Sequence, residues 1–153
     1  MKTVLALDLG TRLGWAFRNS DGCIHHNVEN LDRPKGAGRG VKYFNFANWL
    51  DGPGAVNMFD LVIYEDVRRH MGTDAAHMWG GYEAILTAAC VREHIPLAWL
   101  GVGEIKKHAT GKGNAGKDAV IAAMVARGFE PEDDNDADAL ALLFAYLDKE
   151  DSE

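Results

Sequence analysis

The sequence has few cysteines, few prolines, no long apolar run and no excess of basic residues. Its only cysteines, Cys23 and Cys90, are far apart and match no metal-binding or redox spacing. We therefore expect free, buried thiols in a cytosolic chain that needs no disulfide. The apolar run of the N-terminal segment MKTVLALDLG is interrupted by Asp8 and is too short for a signal peptide or a membrane span. These absences predict a soluble cytoplasmic protein without membrane contact.

The balance of acidic and basic residues restricts the classes of protein to which the chain could belong. Lys and Arg total 16 against 23 Asp and Glu, which gives a formal net charge of −7. Such a balance argues against a protein that covers nucleic acid independently of sequence, but it is compatible with a nucleic-acid enzyme whose carboxylates are neutralised by metal ions.

The length of 153 residues suits one domain, predicted over 1–153, and we find no repeat or Pro-rich linker. The Gly-rich stretch at 34–40 reads as a surface loop.

The order of apolar patterns predicts an α/β fold. A buried strand at 3–8 is followed by two strands joined through Asp21-Gly22, a strong hairpin signal, so that the chain opens with three antiparallel strands. Two further strands, at 59–67 and 96–100, alternate with helical patterns. The predicted helices cover 41–50, 74–94, 103–108, 117–127 and 135–148. Together these elements indicate a mixed five-stranded sheet, three antiparallel strands followed by parallel ones, with helices on its faces.

Two strands are predicted to end in acids on the same face. Alternation puts Asp8 on the side of Val4 and Ala6, and puts Glu65, but not Asp66, on the side of Leu61 and Ile63. A carboxylate that closes an apolar strand is costly without a partner or an ion. Taken singly, Asp8 could equally be a turn residue next to Gly10, and Glu65 could equally be an exposed strand-end charge.

The start of the closing helix is rich in acids. Helical geometry puts Asp138 in line with small alanines, which would let it approach the sheet, and puts Asp134 and Asn135 on the same side. Asp136 points along the Leu140 line. We interpret Asp136 as a helix-start charge, together with Glu130, Glu132 and Asp133.

Two strand-end acids and a facing helix acid would form an oxygen-rich site for a hard cation such as Mg²⁺ or Mn²⁺. No His/Cys cluster suggests zinc. Two such ions can activate water on one side of a phosphorus and stabilise the leaving oxygen on the other. The pattern therefore predicts phosphodiester hydrolysis.

The ordered segments LALDLGTRLGWA, LVIYEDV and NDADALALL resemble the RuvC family of Holliday junction resolvases, particularly its short phage-type members. The resemblance covers about residues 3–148. It implies a ribonuclease H-like fold, to which the order of strands and helices is also similar. It further implies a homodimer and paired nicking of four-way DNA junctions with two Mg²⁺ or Mn²⁺ ions per site, in the host cytoplasm if the gene is phage-borne.

The resemblance also suggests roles for single residues. Asp8, Glu65 and Asp138 match the family's catalytic, metal-binding acids. Asn135 stands where the family usually has Asp or His; its amide oxygen can still bind a hard cation but brings no charge. We therefore keep both Asn135 and Asp134 as candidates for a fourth ligand and favour Asp134 by helix geometry.

Basic residues after the second acid and after the fifth strand are candidates for DNA contact. By resemblance, Lys106 and Lys117 match positions associated with DNA phosphate and catalysis, and Arg68 begins a loop that reaches into the junction, here without an aromatic residue. A single surface lysine is usually only solvated, but a cluster beside a phosphate site favours binding. The predicted DNA-binding residues are Arg68, Arg69, His70, Lys106, Lys107, Lys112 and Lys117. Arg33, Lys35, Arg39 and Lys42 are a candidate second basic edge.

Several alternatives stay open. The 74–94 helix has apolar residues on more than one face; core packing explains part of this pattern, and a dimer interface, as the resemblance implies, would explain the rest. Related functions are an RNA-processing nuclease of the YqgF type, a debranching nuclease for phage DNA, or a junction-binding protein that does not cut. The segment GKGNAGKD resembles a P-loop but ends in Asp118 in place of Ser or Thr, and LDLGT resembles a phosphate motif of the actin-like ATPases, which are far longer.

Overall fold

The computed structural model describes residues 1–153 and contains one mixed five-stranded sheet in the order β3-β2-β1-β4-β5. The first three strands are antiparallel, and β4 and β5 run parallel to β1. The strands are β1 Val4–Asp8, β2 Arg12–Arg18, β3 Ile24–Asn30, β4 Leu61–Asp66 and β5 Leu97–Gly101. The α-helices are α1 Arg39–Asp51, α2 Thr73–Arg92, α3 Val102–Thr110, α4 Lys117–Ala126 and α5 Asp134–Glu150. The predicted α/β fold is confirmed, with element ends shifted by a few residues.

The sheet separates two apolar cores, as the alternation along the strands predicts. On one face, Val4 and Ile63 pack with the closing helix α5, whose Leu140, Leu142 and Leu143 are fully buried. Burial of one such leucine stabilises the fold by about 1.5–3 kcal/mol. The opposite face packs against α1 and α2. The acid-bearing face of β1 and β4 is therefore the face that α5 covers.

All strands except β2 end at one edge of the sheet, which we call the carboxyl edge. The parallel strands β1, β4 and β5 end there, and so does β3, because β3 is antiparallel to β2 and β2 is antiparallel to β1. Loops or helices leave this edge after Asp8, Asn30, Asp66 and Gly101. In sheets of this kind, ligands bind beyond the carboxyl ends of the parallel strands.

The prediction of free, buried cysteines is confirmed only in part. Both cysteines are free, but only Cys90 is buried; Cys23 is exposed next to the β2–β3 turn, so the expectation of two buried thiols is wrong for Cys23. Burial raises the pKa of the Cys90 thiol to about 11. No helix is long and apolar enough to cross a membrane.

Candidate active site

Asp8 and Glu65 lie side by side at the carboxyl edge. The register pairs Leu7 with Tyr64, so the next residue of each strand falls at the same level and on the α5 face. Burial is the main cause of a pKa of Asp8 well above its usual value, and the charge of Glu65 is the next cause. Burial also raises the pKa of Glu65, while a hydrogen bond with Asp8 opposes the increase. The two carboxyl groups thus form one interacting pair.

Helix α5 brings a third and a fourth carboxylate to this pair. Burial first, and then the charges of Glu65 and Asp134, raise the pKa of Asp138 to about 7. The charges of Asp138 and Asp134 in turn contribute to the raised pKa of Asp8. We call Asp8, Glu65, Asp138 and Asp134 the carboxylate cluster. Mutual repulsion of buried carboxylates on this scale is typical of functional sites.

Two lysines of the predicted set lie beside the carboxylate cluster. Lys117, at the first position of α4, forms an ion pair with Asp134, with Nζ 2.8 Å from Oδ2. The charge of Lys106 on α3 lowers the pKa of Glu65 and of Asp138. Sequence patterns predicted a basic patch near the acids, but not this direct bond between Lys117 and Asp134.

The donor set fits a hard divalent cation better than any soft metal. The carboxylate cluster offers only oxygen ligands, and a cation would offset the repulsion that raises its pKa values. The carboxylates interact through their charges, but no group of three or more His, Cys, Asp or Glu side chains is already drawn together closely enough to hold one ion. Metal binding by these residues therefore remains a prediction.

The structure separates the two candidates for a fourth ligand. Asp134 acts on Asp8 and Asp138 through its charge. The Asn135 side chain donates a 3.4 Å hydrogen bond to Asp133, the N-cap of α5. The amide thus contributes to the helix start, and Asp134 is the candidate that electrostatics favours.

Gly14 allows α5 to reach the sheet at this point. It pairs with Asp8 across the β1–β2 ladder, and the backbone carbonyl of Asn135 occupies the space that a side chain at position 14 would need. A β-carbon there would clash with backbone, which cannot rotate away. The close approach of β2 and α5 therefore requires glycine.

We expect Gly14→Ala to destabilise the protein by about 1–3 kcal/mol, the usual range for overpacking, and to lower activity because α5 carries Asp134 and Asp138. Chemical denaturation and a cleavage assay measure the two effects. Gly10→Ala is the control, since its β-carbon would lie 3.7 Å from the Arg12 carbonyl oxygen, an ordinary contact. Wild-type stability of Gly14→Ala would contradict the tight packing.

Asp136 is not the solvent-facing helix-start charge that the sequence suggested. Its side chain is only 1% exposed. Both carboxylate oxygens lie 2.9 Å from Nδ1 of His26 on β3, and the backbone N–H of Glu132 donates to Oδ2 at 2.8 Å. In the sequence, Asp136 lies on the same side of the helix as Leu140, which is buried. This alignment was the sequence signal for the burial of Asp136. Asp136 therefore ties α5 to the far strand of the sheet and does not join the carboxylate cluster.

Asp136→Ala should reduce the free energy of unfolding by about 1–3 kcal/mol, because it leaves the half-buried His26 ring and the Glu132 N–H without their partner. Denaturant titration checks the value. Glu132→Ala is the matched control, since only the backbone of Glu132 takes part in the contact. Equal stability of the two variants would show that the buried contact contributes nothing.

The predicted DNA-binding residues are spread along the loops at the carboxyl edge. Arg68 is exposed and pairs with Asp66 at 2.7 Å, Arg69 is exposed without an ion pair, and His70 packs near Trp79 with ring centroids 5.4 Å apart. A cavity of about 370 Å³ opens between the loops after β4 and β5. Its lining residues are Asp66, Val67, Arg68, Arg69, Gly101 and Val102.

The basic residues after β5 are distributed over α3 and the loop before α4. Lys107 and Lys112 are exposed, whereas Lys106 is half-buried beside the carboxylate cluster. The P-loop alternative is not supported by the local fold, since α3, and not a strand, precedes the Gly-rich loop.

Comparison with known proteins bears on the fold and on the family. No protein-family model matches the sequence. The fold is similar to that of Thermus thermophilus RuvC in complex with a Holliday junction substrate, with a TM-score of 0.79, 18% identity and coverage of 96% of this chain and 93% of that chain. A yeast mitochondrial Holliday junction resolvase matches with a TM-score of 0.63, 16% identity and coverage of 94% and 77%. The protein thus has the ribonuclease H-like fold of these structures.

A curated relative extends the comparison to sequence. The chain is 38% identical over 104 residues to the crossover junction endodeoxyribonuclease RuvC of Nocardia farcinica, an alignment that covers 64% of this chain and 51% of that protein. The chain therefore spans about half the length of this relative. The chain is thus similar in sequence to one RuvC protein and in fold to a solved RuvC structure, in line with the resemblance of its motifs.

Proposed function

We propose that this protein is a metal-dependent, structure-selective endodeoxyribonuclease that resolves four-way or other branched DNA junctions by phosphodiester hydrolysis. The observation that carries the proposal is the cluster of mutually repelling carboxylates beside Lys106 and Lys117 at the carboxyl edge. The similarity to RuvC proteins, one of them in complex with a Holliday junction substrate, suggests the branched substrate.

In this proposal Asp8, Glu65 and Asp138 hold the metal, and Asp134 is favoured over Asn135 as the further ligand. Two Mg²⁺ or Mn²⁺ ions would supply activation of the attacking water and stabilisation of the leaving oxygen. The carboxylates are half-buried, which limits the screening of their charge by bulk water. The chain itself therefore provides an oriented, negatively charged site.

Lys117 and Lys106 would position the phosphate. In the free protein Lys117 pairs with Asp134, so a bound cation would release its ammonium group to contact a phosphate oxygen. Lys106, close to Glu65 and Asp138, would balance negative charge on the same phosphate. Arg68, Arg69, His70, Lys107 and Lys112 would contact the backbone outside the cleavage site, which orients DNA without reading its sequence.

A substrate panel tests the proposed function. Linear, flap, three-way and four-way DNA and single-stranded RNA are incubated with the protein in Mg²⁺ or Mn²⁺, with EDTA as the control. We expect paired nicks in the four-way junction, slower cutting of linear DNA and no cutting in EDTA. Faster cutting of RNA would favour a YqgF-type enzyme, and tight junction binding without cleavage in either metal would favour a binding protein; both results contradict the proposal.

We further propose a homodimer through α2. Val91 on α2 and Trp99 on the adjacent edge strand β5 are 75% and 57% exposed, and the indole N–H of Trp79 is buried without a hydrogen-bond partner. Apolar exposure of this kind is typical of an interface.

Val91→Glu is expected to convert a dimer into a monomer, because it buries an unpaired charge in the proposed interface. Light scattering coupled to size-exclusion chromatography measures the mass. Val125→Glu is the matched control, since Val125 is 54% exposed on α4, away from α2. A monomeric wild-type protein, or a dimer that survives Val91→Glu, would refute this interface.

A further inference from the structure

The segment after β3 is unusual in its charge. Residues 33–50 contain Arg33, Lys35, Arg39 and Lys42 but no Asp or Glu, in a chain whose net charge is −7. The first turn of α1 likewise contains no acid. Such a concentration of one sign is unusual in an acidic protein, and only the lysine-rich segment 105–117 resembles it.

Most bases of this segment are not neutralised within the protein. Arg33 and Lys35 are exposed and have no ion pair, and the only partner of Arg39 is the exposed Asp74, at 3.9 Å. An ion pair of that length at the surface contributes little. Lys42 differs, because it is largely buried beside Asp32. We call Arg33, Lys35 and Arg39 the β3-side basic patch.

Unpaired bases are concentrated near the carboxyl edge. Eight of the thirteen other Lys and Arg residues pair with an acid. Apart from Arg18, at the opposite end of the sheet, the bases without an ion-pair partner all lie in segments that follow strands ending at the carboxyl edge. They are Arg33, Lys35, Arg69, Lys106, Lys107 and Lys112.

Hydrogen bonds hold the β3-side basic patch at this edge. The N–H of Leu31 donates to the carbonyl of Thr11 at 2.8 Å, close to the loop that follows Asp8. The Asn45 side chain donates to the carbonyl oxygens of Leu31 and Arg33 at 2.7 and 3.2 Å, which fixes the chain as it leaves β3. Gly36 and Gly38, before α1, and Gly40, in its first turn, have open space around the backbone.

The two groups of unpaired bases lie on opposite sides of the carboxylate cluster. β3 and β5 are the edge strands of the sheet, with β1 and β4 between them. Four strand spacings separate them, about 19 Å, which is close to the combined width of one major and one minor groove, about 18 Å. One phosphate cannot contact both groups, but one DNA structure that crosses the site can.

We propose that the β3-side basic patch binds backbone phosphates of the DNA on the side of the carboxylate cluster opposite to Lys106 and Lys112. This inference rests on the proposed function and adds a second contact surface to it. A polyanion fits better than an acidic protein, because two separated patches of one sign flank a site suited to phosphate chemistry. The patch thereby holds a part of the DNA that the loops after β4 and β5 cannot reach.

The salt dependence of DNA binding tests this inference. The triple variant R33Q/K35Q/R39Q should bind a four-way junction about 10-fold or more weakly at moderate salt, and the slope of log K against log salt should fall by about 0.9 for each phosphate that the protein no longer neutralises. Affinity is measured by fluorescence anisotropy in Ca²⁺ or EDTA, so that cleavage does not interfere. The charge-preserving variant R33K/R39K should keep most of the slope.

The matched control is K2Q/R18Q/R92Q, which removes the same charge at the opposite end of the sheet, before β1, at the end of β2 and at the end of α2. An equal decrease of affinity in this control, or a wild-type slope in the R33Q/K35Q/R39Q variant, overturns the inference. Circular dichroism verifies that both variants are folded. If the wild-type protein binds and cuts no branched DNA, the proposed function itself fails, which is a different result.

Discussion

Asp8→Asn is expected to abolish junction cleavage while junction binding is retained. Asp8 interacts with every other member of the carboxylate cluster, so removal of its charge should remove metal from the site. The decrease in rate should exceed the roughly 10–100-fold typical of residues one step away from a metal ligand. Single-turnover cleavage of a labelled four-way junction and anisotropy in EDTA separate the two effects.

The melting temperature in the presence of Mg²⁺ tests the role of Asp8 in metal binding without a cleavage assay. Mg²⁺ should raise the melting temperature of the wild-type protein, because an ion that binds only the folded state stabilises it, and should have little effect on Asp8→Asn. Asp21→Asn is the control, since Asp21 is exposed in the β2–β3 turn, far from the carboxyl edge. An Asp8→Asn protein that cuts junctions at the wild-type rate would refute the assignment of the site.

The second large effect is expected in the pH dependence of stability without metal. Burial and repulsion raise the pKa of Asp138 to about 7 and the pKa of Asp8 well above its usual value, and burial raises the pKa of Glu65. Near pH 4 these groups are protonated in the folded state at little cost. As the pH rises toward 7, the unfolded chain has already released its protons while the folded chain retains them, so the free energy of unfolding must fall. Above pH 7 the decrease from Asp138 levels off.

Asp138→Asn should remove a large part of this decrease. We expect the variant to be more stable than the wild type by about 2–4 kcal/mol at pH 8 in EDTA and nearly equal at pH 4, as the displacement of one pKa implies. Urea denaturation across this pH range gives the values. Addition of Mg²⁺ to the wild type should restore stability at pH 8, because the ion competes with protons for the carboxylates. Parallel pH profiles of the two proteins would show that Asp138 carries no destabilising charge.

Local patterns are sufficient to predict much of the architecture. Alternation along 3–8 and 59–67 correctly puts Asp8 and Glu65 on one face, because side chains of a strand alternate whatever surrounds it. The helical period likewise separates Asp138 from the apolar stripe of α5. These relations hold within one element or between neighbouring strands, and short apolar runs encode them directly.

Contacts between distant segments are not predictable in this way. The local pattern favours a helix-start charge at Asp136 because the first turn of a helix accepts acids without any partner, whereas the structure buries this side chain against His26, 110 positions away. The requirement for glycine at position 14 and the bond of Lys117 to Asp134 also depend on how closely α5 and α4 approach the sheet. The periodicity of residues within one helix or strand contains no information about the distance between separate elements.

The sequence by itself determined the order of strands and helices, the faces of the sheet that carry acids, and the resemblance to a nuclease family, because each of these follows from residue type and spacing. Only the tertiary structure decided which acids interact. Packing of α5 against β1 and β2 brings Asp134 and Asp138 to Asp8 and Glu65 and leads Asp136 away from them. The pKa values of buried carboxylates depend on distance and burial, and both arise only when the separate elements pack together.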